Sequence, residues 1–430
     1  MSVVAFSLVF AGMIGLMLLG LPIAVAMVLA GAGAGVAVFG IPFLSSTVAM
    51  LWGVLNDNLL TAAPLFILLG ELLLRSGMAD RMYGAMAVWL SRMPGGLLHT
   101  NIASCALFAA TSGSSVATAA TIGTVALPSL KARNYPMPRA LGTLAAGGTL
   151  GILIPPSINM IVYGSLTENS IGKLFIAGII PGLLLTGFFM LFVYVHAKWK
   201  GGVPVEALPP LAERLRQSVH LIPPAVIFGI VMGSLYTGVA TATESAALGV
   251  VVALFFAWRS KRLTWAMLET CFLQTARTTG MIMLILAAAF VLNLLISLSG
   301  VAEEMTKAVT SLGLSATAML LVLIAFYLVL GMFMDVMSML VATVPITYPI
   351  VTALGVDPIW FGIFIILMCE LALITPPVGM NLFVVQGVRP DKGGIGEVIR
   401  GSLPYVVIMM AFTLLLMLFP AIVTWLPGKM

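Results

Sequence analysis

GILIPPSINM, residues 151–160, lies inside a long apolar stretch. Pro155 and Pro156 each lack a backbone N–H, and their rings collide with the preceding turn. The break therefore falls where an unsatisfied backbone group is most costly. A chain that keeps it there has something other than water to give the freed carbonyls.

Composition fixes the surroundings. The chain has 430 residues, of which 61% are hydrophobic and 8% charged, with a mean hydropathy of +1.16. A soluble domain needs about 25% charged residues to cover its surface, so lipid is the main solvent here. Apolar runs long enough to cross about 30 Å of hydrocarbon recur from end to end. The short alternating segments of a β-barrel are absent. The fold class is an all-α polytopic membrane protein. The N-terminus, MSVVAFSLVFAGMIGLMLLG, has neither the basic region nor the cleavage site of a signal peptide and reads as a retained first span.

The net charge is +5, but placement is more informative than the sum. Basic residues cluster at Arg75/Arg81/Arg92, Lys131/Arg133/Arg139, Lys198 to Arg216, Arg259 to Arg277 and Arg389 to Arg400. The positive-inside rule puts these clusters in the cytoplasm. The acidic loops at Asp57, Glu168, Glu303/Glu304 and Asp357, and both termini, then fall on the outer side of the membrane. The stretch between Arg92 and Lys131 must leave the cytoplasm and return to it. It reads as a re-entrant helical hairpin, about 97–130, with a small, polar midpoint FAATSGSSVATAAT.

The chain also matches itself. Pro155-Pro156 corresponds to Pro376-Pro377 at an offset of 221, and Pro128 to Pro349 at the same offset. Two copies are expected, 1–215 and 216–430. The first carries its hairpin at about 97–130 and a broken helix at about 140–163. The second carries a hairpin at about 314–349 and a broken helix at about 359–386. The charge map makes the copies inverted, and inverted repeats with paired broken helices are the architecture of a secondary transporter.

The breaks suggest ion sites. Freed carbonyls suit a cation, and the N-terminus of the following half-helix suits a carboxylate. Hydroxyl, carbonyl and carboxylate oxygens are hard ligands. Two Na⁺ sites are expected. One joins the tip Ser112, Gly113, Ser114 and Ser115 to Gly151, Ile154 and Pro155. The other joins Gly331, Met334 and Asp335 to Ile374, Thr375 and Pro376. Substrate is expected near Ser157, Asn159, Gly379 and Asn381. Three carboxylates, Glu71, Asp335 and Glu370, fall within spans, where ionisable groups are functional by default. Asp335 has repeat support. Glu370 has two equal readings, a cavity wall or a proton carrier. Glu71, four residues before Arg75, reads as structural.

Other features take plain readings. GAGAGVAVFG (31–40) has no preceding strand and reads as close helix packing. Cys105, Cys271 and Cys369 lack metal or disulfide spacing, and His99, His196 and His220 sit at the ends of apolar runs. Segments 41–58 and 264–279 read as interfacial amphipathic arms. No catalytic constellation and no P-loop appear, so neither an enzyme nor a primary pump is expected, and no nucleic-acid partner.

Four motifs carry a family resemblance: GTLGILIPPSINMIVYG (148–164), LYTGVATATESAALG (235–249), LGMFMDVMSMLVATVPITYPI (330–350) and ITPPVGMNLFVVQG (374–387). Over essentially its whole length the chain resembles the large membrane subunit (M subunit, DctM-like) of tripartite ATP-independent periplasmic (TRAP) transporters. Ala242 stands where that family usually has proline in a TPTE pattern. The resemblance implies an elevator-type, Na⁺-driven importer of a small organic acid. It also implies two partners: a small four-helix membrane subunit (Q type) and a periplasmic substrate-binding protein (P type). The rival is a stand-alone Na⁺/dicarboxylate or citrate symporter acting as a homodimer.

Overall fold

The computed structural model describes residues 3–56, 60–201, 209–311, 313–391 and 393–429, and no strand occurs among them. Asp57 and most of the loop joining the two expected copies lie outside the described residues. Among the described residues, seven helical stretches are long and apolar enough to cross a membrane, with 137–167 counted as one. An eighth span arises if the pair Ala62–Arg75 and Met78–Leu90, bent by 68°, is taken as one. The chain is thus a multi-pass helical membrane protein.

Each half contains one helical hairpin followed by one broken helix. The first hairpin pairs Leu97–Ser112 with Ser115–Ala132. Gly113 turns it in the left-handed region (φ +63°), where a residue without Cβ is unstrained. Ser114 then caps the returning helix, accepting from the Ala117 N–H at 3.3 Å. The first broken helix is Met137–Leu153 followed by Ile158–Thr167. The second hairpin pairs Ala316–Gly331 with Val336–Ala353, and the second broken helix is Pro358–Ile374 followed by Met380–Gly387. Both Pro-Pro bonds are cis.

Burial explains the centre of the molecule. Every residue from Ala140 to Leu153, and every residue from Trp360 to Ile374, is buried. In a membrane, burial on all sides means that protein rather than lipid surrounds these two helices. Met137–Leu153 is surrounded by both arms of the first hairpin, by Ile395–Leu418 and by Pro358–Ile374. Its glycines permit this. A methyl group on Gly142 would strike the Gly401 carbonyl, and one on Gly401 would strike the Pro138 carbonyl. Small residues at such crossings let helix backbones approach closely without lipid between them. Around this core stands a frame in which Trp265–Ser299 packs on Ile23–Phe39 and Ala62–Arg75, and Ala62–Arg75 packs on Ala242–Arg259.

One expected arm takes a different form. Segment 41–58 contains a separate helix, Pro42–Leu55, but 264–279 is the opening of one uninterrupted 35-residue helix, Trp265–Ser299. Thr264 caps it, accepting from Met267 N–H at 3.2 Å. No proline follows, and Gly280 alone costs too little to break a helix of that length.

Candidate functional site between the two hairpin tips

The first tip and the first break touch at two glycines. A Cβ on Gly113 would stand 2.7 Å from the Pro156 carbonyl oxygen, and a Cβ on Gly151 would stand 2.6 Å from that of Ser114. The Ile154 N–H still reaches the Leu150 carbonyl at 3.0 Å, and the chain then becomes extended. Positions 155 and 156 have no N–H, so the carbonyls of Gly151 and Ile152 lose their helical donors. Ser157 restarts the helix, accepting from Met160 N–H at 3.4 Å. Ser112 faces away from the tip and shares a hydrogen bond with Thr118 Oγ1 at 3.1 Å. Ser112 is thus held inside the hairpin, while Gly113, Ser114 and Ser115 present its end.

The second tip is built around Asp335. Its Oδ2 accepts from the N–H groups of Met337 (3.1 Å) and Ser338 (3.2 Å), and its Oδ1 accepts from the Ser338 hydroxyl. Asp335 is therefore a helix N-cap as well as a carboxylate at a hairpin end. Gly331 packs directly on Ala372, bringing this hairpin against the helix that runs into the second break. Ile374 is fully buried there. Thr375 donates its hydroxyl to the Leu371 carbonyl at 2.6 Å, leaving its oxygen lone pairs ahead of Pro376. Met334 lies on a different, largely apolar cavity of about 420 Å³ that it shares with Ile14 and Met17, and Asp335 borders that cavity too.

A cavity of about 480 Å³ lies between the two tips. One side is Gly113 to Ala117 with Ile158 and Asn159; the other is Asp335 to Met337 with Leu373 and Met380. Of the expected substrate residues, Asn159 lines it. Its Nδ2 is buried and has no hydrogen-bond partner among the described residues. Ser157, Gly379 and Asn381 do not line it, although Met380 between the last two does. Asn381 instead crosses to the other half, donating to the Ala145 carbonyl at 3.3 Å, while its Oδ1 has no partner.

The frame supplies a wall that the sequence reading did not include. Glu71, Thr278, Met281 and Ile282 line the cavity. Glu71 bonds Arg75 at 3.1 Å, the structural role expected of it, and also faces the cavity. The available signal was the run Thr278-Thr279-Gly280, where the mixed first half of this helix gives way to its largely apolar second half. Glu370 does not line the cavity. It is fully buried, with its carboxyl against the Leu153 backbone.

Comparison with known proteins follows the same lines. The fold is similar to that of the Alcanivorax borkumensis YdaH transporter, with a TM-score of 0.60 at 16% identity over 90% of each chain. Residues 10–422 match the family described as tripartite ATP-independent periplasmic transporter, DctM component. The C4-dicarboxylate TRAP transporter large permease protein DctM of Pseudomonas aeruginosa is 37% identical over 86% of either chain. The 2,3-diketo-L-gulonate TRAP transporter large permease protein YiaN of Escherichia coli is 31% identical over 97% of either chain. The isethionate TRAP transporter permease protein DctMQ of Oleidesulfovibrio alaskensis is 32% identical over 96% of this chain and 65% of its own. A family match across residues 10–422, with relatives above 30% identity over most of both chains, makes this chain a member of the DctM family of TRAP transporter large permeases.

Proposed function

We propose that this protein is the large membrane subunit of a Na⁺-coupled importer of a small organic acid, delivered by a periplasmic binding protein. The observation that carries the reading is the cavity itself. It joins the ends of both hairpins and residues flanking both broken helices, one set from each half of the chain. Two Na⁺ ions would bind at its edges. One would use Ser114, Ser115 and the carbonyls freed before Pro155. The other would use Asp335, Thr375 and the carbonyls freed before Pro376. Each ion would bring positive charge to a group of oxygens, and together the two would draw in an anionic substrate. Asn159 would contact that substrate.

The two halves are read as inverted repeats, with the first hairpin entering from the cytoplasm and the second from the periplasm. On this reading the core of hairpins and broken helices moves against the frame in an elevator-type cycle, exposing the cavity to one side and then the other. Partners follow from family membership. The Oleidesulfovibrio relative is named DctMQ and is longer than this chain, in keeping with a large subunit that works beside a small one. A stand-alone homodimeric symporter is disfavoured, because the relatives named here are permeases of TRAP systems.

The test is reconstitution of this chain with its small subunit in liposomes, with binding protein and candidate acids outside. Uptake is expected only when an inward Na⁺ gradient and the binding protein are both present. Undiminished uptake in choline buffer removes the Na⁺ sites, and undiminished uptake without binding protein restores the stand-alone reading.

A further inference from the structure

On the face that the positive-inside rule assigns to the cytoplasm, a second pocket opens between Met137–Leu153, Ile171–Lys200 and Ile395–Leu418. It is small, about 130 Å³, and its walls are mostly apolar. Three of its lining residues carry basic groups: Arg139, His196 and Arg400. No Asp or Glu lines it. Glu397, one turn before Arg400, is turned to Arg389. Arg139 spends one N–H on the Gly201 carbonyl at 2.8 Å, and Arg400 makes no hydrogen bond or ion pair among the described residues. Two guanidinium groups with an imidazole beside them and no carboxylate among the lining residues, set in an apolar wall, call for an anion with an apolar body.

Depth identifies the source of that anion. Phe188, Leu191 and Val195 are exposed on Ile171–Lys200 and lie on one stripe with the pocket residue Phe192. On Ile395–Leu418, Leu403 and Val407 are exposed on one stripe with Arg400 and Pro404. Both stripes end at the pocket. Just beyond it Trp199 is 87% exposed, between Lys198 and Lys200. Exposed tryptophan flanked by lysines marks the headgroup level of a bilayer. The pocket therefore opens where lipid phosphates lie, with acyl-chain surface leading into it.

We propose that this pocket binds the phosphate of an anionic phospholipid, held by Arg139, Arg400 and His196, with the acyl chains along the Phe192 and Leu403 stripes. The lipid joins the last long helix to three helices of the first half, Leu97–Ser112, Met137–Leu153 and Ile171–Lys200. Basic pockets between transmembrane helices on the cytoplasmic side are suited to such headgroups.

The test uses the full chain purified in non-ionic detergent. Bound lipid is counted by native mass spectrometry, and thermal unfolding is followed with phosphatidylglycerol, phosphatidylcholine or inorganic phosphate added. Phosphatidylglycerol is expected to be retained in preference to phosphatidylcholine and to raise the unfolding temperature. Arg400→Gln, which removes no hydrogen bond or ion pair among the described residues, is expected to cut that preference about fivefold, the factor for one interfacial basic residue. Arg400→Lys is expected to keep most of it, and Arg259→Gln, at an exposed basic site elsewhere, all of it. Equal retention of both lipids, or an unchanged preference in the Arg400→Gln, Arg139→Gln double variant, overturns the proposal. Stabilisation by inorganic phosphate equal to that by phosphatidylglycerol also overturns it, since the pocket then takes a free anion.

Discussion

Gly151 lies so close to Ser114 that a Cβ at 151 would stand 2.6 Å from the Ser114 carbonyl oxygen. The glycine belongs to the broken helix and the serine to the hairpin tip, so this contact sets how closely the first tip approaches the carbonyls freed by Pro155 and Pro156. Gly151→Ala forces the two apart. Overpacking of this kind costs about 1–3 kcal/mol, enough to lower the population of the paired arrangement about tenfold or more. Na⁺-driven uptake by the reconstituted complex is expected to fall by that order, with the Na⁺ concentration for half-maximal uptake raised. Wild-type Na⁺ dependence in this variant would show that the contact does not shape an ion site.

Asp335 has two separable roles. Its carboxylate caps Val336–Ala353 through the N–H groups of Met337 and Ser338, a task that asparagine also performs. Only the carboxylate supplies a full negative charge to a cation. Asp335→Asn is therefore expected to keep its unfolding temperature while needing more Na⁺ for half-maximal uptake. Asp335→Ala is expected to show the same Na⁺ defect and a further loss of about 1 kcal/mol from the missing cap. If the two variants share a stability loss and neither changes Na⁺ dependence, Asp335 is a cap and nothing more.

The elements that are legible in the sequence are those announced by backbone chemistry. Pro155-Pro156 and Pro376-Pro377 end their helices because proline must, and Gly113 and Asp335 mark the two turns through a left-handed φ and an N-cap. What stayed hidden depends on neighbours distant in the chain. Nothing local reports that Thr278 faces the same cavity as Ser114, or that Asn381 reaches Ala145. Glu71 shows the limit most clearly. Arg75 four residues on accounts for it on one helix, yet only the packing of Ala62–Arg75 beside the first tip places Glu71 on the cavity wall. Segment 264–279 failed for a related reason: amphipathic character describes a face and does not say where the helix stops.

Asn159 and Asn381 each leave one buried amide atom without a partner. An unmet buried polar group costs about 1–3 kcal/mol, so replacing either side chain with an apolar one of similar size is expected to leave stability unchanged or raise it. Function is expected to move the other way. Asn159→Leu removes a polar group from the cavity wall, and half-maximal uptake should then need about tenfold more delivered substrate, the scale set by one lost hydrogen bond to a charged group. Asn381→Leu loses its bond to the Ala145 carbonyl but touches no cavity surface, so its substrate dependence should change less. Paired measurements of unfolding temperature and substrate dependence separate the two. Equal effects from both variants would show that Asn159 acts through packing.

The loop after the second broken helix is held by Arg389, which binds Asp391 and Glu397 at once. The hydrogen bond from Arg389 holds the Asp391 carboxyl below its ordinary range. A carboxyl depressed in the folded protein adds stability above its unfolded pKa, about 3.9. That stability is lost as pH falls through the lower folded value. Arg389→Met removes the partner and with it this increment. The wild type is therefore expected to unfold at a higher temperature than Arg389→Met at neutral pH, with the gap closing as the medium is acidified below about pH 4. Sequence spacing reinforces the sign. Asp391 is two residues from Arg389 and Glu397 eight, so the clasp ties the start of Ile395–Leu418 to the end of Met380–Gly387. A gap between the two proteins that stays constant across this range would mean that the ion pairs add nothing to stability and Arg389 acts through its packed side chain alone.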